Sequence, residues 1–171
     1  MGTIVLVLIF LLCFLFPYMY ELSAYDLNPT QILLPPSFEH ILGTDRLGRD
    51  LMARVMHGGQ ISLIIGILSS IIASFIGLMV GISAGFFQKG TDKIIIVMID
   101  LFLTFPTFFL LLALISYMSA SIWVLIIVIS ITGWMGMARM IRSESFAISN
   151  APFIKILKLS HVGNLKIIMK Y

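Results

Sequence analysis

Charge is scarce in this chain: Asp, Glu, Lys and Arg make up 11% of its 171 residues, where a soluble domain carries about 25%. Set against 60% hydrophobic residues and a mean hydropathy of +1.09, that scarcity excludes a soluble globular domain and points to an integral membrane protein. A single cysteine, Cys13, excludes a disulfide within the chain and says nothing about redox compartment. The net charge of +3 is too small to mark a nucleic-acid binder and reads as topology-setting charge. Constellations for catalysis are missing as well: no Ser/His/Asp or Cys/His set at reachable places, no zinc-ligand cluster, no paired carboxylates in one span. Neither enzymatic activity nor a cofactor or metal centre is expected; His161, without nearby Cys, Asp or Glu, is no metal site.

What is present is a set of four apolar runs, each near the ~20 residues a helix needs to cross the hydrocarbon core. They cover about 3–20, 61–87, 94–118 and 121–137. The first has no basic n-region and no small-x-small cleavage site before Glu21, so it reads as a retained span rather than a signal peptide. The chain therefore divides into a first transmembrane helix (1–20), an external loop (21–60), a three-helix transmembrane core (61–137) and a cytoplasmic segment (138–171). Basic residues set the orientation. Lys89 and Lys93 mark one short joint, and Arg139, Arg142, Lys155, Lys158, Lys166 and Lys170 mark the tail, which puts both on the cytoplasmic side. Trp123 and Trp134, near opposite ends of the fourth run, suit interface anchors.

The external loop contains "GTDRLGRDLMAR", Gly43 to Arg54, close to the spacing of a phosphate-cradling P-loop. That reading fails on chemistry. Arg49 and Asp50 stand where lysine and a Ser/Thr hydroxyl are needed, Asp45 adds a second negative charge, and Pro35-Pro36 forbids a buried strand leading in. Thr44 as N-cap, with Leu47, Leu51, Met52, Val55 and Met56 at helical spacing up to Gly58-Gly59, predicts a short amphipathic helix instead. It is either a solvated connector on the outer surface or a wall or lid of a substrate pathway.

The second run carries Ala73, Gly77, Gly81 and Gly85 at every fourth place, a stripe that lets another helix approach closely. Asp100 lies within the third run, where an acid faces a bundle interior, a cavity or nearby water, and Pro106 predicts a kink. In the tail, Phe153, Ile156, Leu157 and Ser160 share a side after Pro152, with Lys155 and Lys158 toward another. This is either a basic amphipathic hairpin on anionic membrane lipid or a docking element for a cytoplasmic partner.

Three phrases, "PPSFEHILGTDRLGRDLMARVMHGGQISLIIG", "DKIIIVMIDLFLTFP" and "WMGMARMIRSESFAISNAPFIKILKLSHVGNLKIIMKY", together resemble the permease subunits of ABC importers for dipeptides, oligopeptides and nickel. His40, Gly43, Thr44, Asp45, Gly48, Arg49 and Asp50 carry the most specific part of the likeness. The resemblance implies an all-α, multi-pass protein of a bacterial or archaeal inner membrane. It further implies a second, different permease subunit completing the pathway, two cytoplasmic ATPase subunits and an extracytoplasmic solute-binding protein. The family's ATPase-coupling segment would fall on Phe153 to Tyr171, with Phe153, Lys155, Ile156, Leu157, His161 and Gly163 at its contact places.

There are departures. The usual Glu-Ala-Ala is Lys155-Ile156-Leu157, His161 stands at the glycine place with Gly163 displaced by two, and Val97 replaces an arginine three residues before Asp100. The family continues past the position of Tyr171 with two more spans. Three readings follow: a permease subunit present as an incomplete or truncated chain, a degenerate membrane protein that inserts without coupling, or a small helical scaffold.

Overall fold

The computed structural model describes residues 1–104, 107–117 and 121–170. Its helices are α1 (Gly2–Phe14), α2 (Leu51–Phe87), α3 (Lys89–Thr104), α4 (Thr107–Tyr117), α5 (Ile122–Ser149), α6 (Pro152–Leu159) and α7 (Asn164–Lys170), with a 3-10 turn at Phe16–Tyr18. Among the described residues, extended pairing is limited to an isolated bridge between Thr44 and Asp50. α2 and α5 are long and apolar enough to cross a membrane. The first expected span falls on α1 and the 3-10 turn, and the third on α3 and α4. The Pro106 kink and the Ser119-Ala120 joint lie outside the described residues.

The chain forms two compact units, Met1–Gly66 and the residues from Ile67 onward. In the first, α1 is apolar on all sides and exposes most of its surface, as a lipid-facing helix does, while Cys13 is buried. A Cβ at Gly59 would run into the Cys13 sulfur, and the Gln60 amide donates to the Cys13 carbonyl at 2.8 Å, so this glycine lets α1 and the start of α2 touch.

The expected helix starting at Thr44 and ending at Gly58-Gly59 is not what forms. Residues 45–49 make a tight turn: the Asp45 carboxylate accepts the Leu47 and Arg49 N–H groups (2.8 and 3.0 Å), and the Gly48 N–H reaches the Asp45 carbonyl at 3.0 Å. Local capture of backbone donors by an aspartate competes with helix formation. The helix starts instead at Leu51, capped by Asp50, whose Oδ1 accepts from the Ala53 N–H at 2.7 Å. It then passes through Gly58-Gly59, because each glycine costs only about 1 kcal/mol in a helix and the apolar run beyond continues to Phe87.

In the second unit, α2 and α5 pack along the small-residue stripe. A Cβ on Gly77 would come within 2.9 Å of the Trp134 carbonyl and 2.8 Å of Met137 Cβ. On Gly81 it would meet the Ala138 carbonyl at 2.7 Å, and on Gly85 the Arg142 carbonyl at 2.6 Å; Ala73 faces Gly133. One cluster, Ile99, Met135 and Ala138 with Val80, Ile95 and Trp134, ties in α3. Another, Phe86, Ile154 and Ile167 with Ala151, Leu157, Val162 and Ile168, seats α6 and α7. Two successive left-handed residues, Gln88 (φ 51°) and Lys89 (φ 48°), break α2 from α3, and the Gln88 amide donates to Ser149 Oγ at 2.8 Å.

Candidate functional site

The loop before α2 is built around two aspartates. Gly43 (φ 77°) and Gly48 (φ 72°) both adopt left-handed conformations, and a Cβ on either would strike a backbone carbonyl, that of Leu34 or of Asn28. The glycines of the near-P-loop phrase thus serve backbone geometry. Thr44 donates to the Gln31 carbonyl and accepts from the Leu34 N–H at 2.8 Å. Asp45 pairs with Arg49 at 2.8 Å and with Arg54. Desolvation pushes its carboxyl up, but the Arg49 and Leu47 N–H groups and the Arg49 guanidinium outweigh this and hold its pKa down at about 2.

Asp50 and His40 are buried together, His40 Nδ1 lying 2.9 Å from Asp50 Oδ2. The Tyr20 hydroxyl donates to the same carboxylate oxygen at 2.9 Å. Asp50 therefore joins residues 20 and 40 to the first turn of α2. Tyr20 was not legible as its partner; the only trace was a polar ring at the end of an apolar run.

In the second unit, Asp100 pairs with Arg139 across α3 and α5, and Asp92 with Arg142, whose Nη2 lies 2.7 Å from Asp92 Oδ2. The Arg142 hydrogen bond, against opposing desolvation, lowers the Asp92 pKa. Partners 39 and 50 residues away in sequence leave no local signal.

α6 ends in a Schellman arrangement: the Val162 N–H bonds the Leu157 carbonyl (3.2 Å) and the His161 N–H the Lys158 carbonyl (3.2 Å), with His161 at φ 56°. Ile154 is buried and Leu157 packs against the Phe86 cluster, while Lys158 Nζ sits 4.2 Å above the Phe86 ring. Phe153, Ile156 and Leu159 remain exposed, as do Lys155, His161 and Gly163. Under α6, Ile82, Phe86, Ile141, Glu144, Ile154 and Ile167 line a cavity of about 210 Å³. Among the described residues no cluster of His, Cys, Asp or Glu could hold a metal ion.

Among the described residues the regular elements are helices, two of them of membrane length, and together with the family match they make this an all-α integral membrane protein of the permease class. Residues 77–171 match the family described as the binding-protein-dependent transport system inner membrane component, and the chain belongs to that family. It is 30% identical over 169 residues to the dipeptide transport system permease protein DppC of Bacillus subtilis, covering 99% of this chain and 53% of that relative. The oligopeptide transport system permease protein OppC of Bacillus subtilis is 33% identical over 156 residues (90% and 50%), and OppC of Mycobacterium bovis 32% over 167 (96% and 57%). The chain spans about half the length of the curated relatives it matches.

Proposed function

We propose that the chain is a permease subunit of an ABC importer, forming part of the path by which di- or oligopeptides cross the inner membrane. In this reading an extracytoplasmic binding protein delivers the solute, a second, different permease completes the path, and ATPase subunits drive it from the cytoplasm. The observation that carries the reading is α6: one side anchored by Ile154 and by Lys158 over Phe86, the other presenting Phe153, Ile156 and Leu159 to a partner. Peptides are favoured over nickel because the relatives at 30–33% identity are named for dipeptides and oligopeptides. The loop clamped by Asp45 and Asp50 is then the face toward the binding protein.

Lys155 is the substitution that weighs on coupling, a cation on the exposed side where the family has an acid. The test is co-purification of the ATPase with this subunit from native membranes in mild detergent. Retention of the ATPase, strengthened in Lys155→Glu, is expected. Absence of the ATPase at near-native expression, unchanged by that substitution, overturns the docking role and favours a membrane protein that inserts without coupling.

A further inference from the structure

Asp100 lies seven residues beyond Lys93 on α3, which is about 10 Å along a helix axis. Its pairing with Arg139 leaves both side chains more than half exposed, at 57% and 56%. Arg139, at the cytoplasmic end of the fourth run, reaches along α5 to that level, and a charged pair presented to lipid is expensive, so the face carrying it requires water or polar surroundings. The helix geometry separates this face from the others. Ile99, one step around, is buried against Met135 and Ala138. Val97, one turn back, lies on the Asp100 side, whereas Met98, equally half exposed, points roughly 160° away.

We propose that Asp100 and Arg139 form a charged wall site of a water-filled passage, which takes the oppositely charged ends of a zwitterionic solute. A carboxylate and a guanidinium already in contact offer an exchange of ion pairs: the solute's ammonium group takes Asp100, its carboxylate takes Arg139, and the two side chains re-pair once it leaves. The solute assignment rests on the permease reading; the hydration of this face does not.

The test uses the full chain in its assembled importer in membrane vesicles, with Val97→Cys or Met98→Cys added singly and the buried Cys13 as background. The cysteine thiolate, which forms in water and not in lipid, attacks the outer sulfur of a charged thiosulfonate reagent, giving a mixed disulfide as the sulfinate leaves. Val97→Cys is expected to react at least about tenfold faster than Met98→Cys, and alanyl-alanine, but not its N-acetylated, C-amidated counterpart, is expected to slow it. Equal rates at the two positions would overturn the wall site and indicate a lipid-covered face or a dry contact with another subunit. Fast reaction that no zwitterionic peptide slows, in vesicles that do import peptide, would overturn the solute contact. Vesicles that import no peptide while the rates still differ would remove the peptide reading and leave the hydrated face standing.

Discussion

Asp50 concentrates three tasks in one carboxylate: it caps α2 through Ala53 and accepts from Tyr20 and His40. Asp50→Ala removes the cap and strands buried donors, for a loss of roughly 2–4 kcal/mol. Thermal unfolding in detergent is expected to show it as a lowered midpoint, with Asp50→Asn affected less because an oxygen acceptor remains. Asp45 makes the loop acid-sensitive. Its folded pKa of about 2 lies below the ordinary 3.8, so its contribution is complete above about pH 4 and is lost as pH falls through 2. Hydrogen exchange at the Leu47 and Arg49 amides, corrected for intrinsic rate, should show protection falling between about pH 4 and 2; protection unchanged across that window would contradict the carboxylate's role. The phrase "GTDRLGRD" was visible in the sequence as an unusual one, and its charges ruled out a phosphate site. Its geometry was hidden, because Asp45 as a helix first-turn residue and Asp45 as a turn former look alike until the backbone donors are assigned.

Among the elements, the stripe at Ala73, Gly77, Gly81 and Gly85 was legible as a packing face, since small residues four apart have few other uses in an apolar helix. Its partner on α5 was not, because Trp134, Met137 and Ala138 have no matching periodic signature. Gly81→Leu places a side chain where a Cβ alone already crowds the Ala138 carbonyl. A loss of about 3 kcal/mol or failure to assemble is expected, read as a lowered unfolding midpoint or as degradation in the membrane. His161 illustrates the reverse case. The sequence showed a residue standing at a glycine place, and the structure supplies the reason glycine suits it, a C′ position with positive φ closing the Schellman turn. His161→Gly should stabilise the end of α6 by about 1 kcal/mol, measurable as slower amide exchange at Val162; faster exchange would contradict it. The start of α2 was misread because Thr44 and Asp50 are both good caps, and only the turn between them decides which is used.

For the whole molecule, composition alone carried the class, because no soluble core can absorb so many apolar side chains with so little charge to cover them. Long-range pairing was out of reach: Asp92 with Arg142 and Asp100 with Arg139 join helices that the sequence shows only as separate runs. Family membership and the arrangement at α6 support the import role, and the co-purification experiment tests it at this scale. The α2–α5 seam has a final consequence, in the response to temperature. Contacts that depend on releasing water weaken in the cold, but two helices meeting within lipid release none, and here backbone lies against backbone at Gly77, Gly81 and Gly85. Chilling should leave that seam closed.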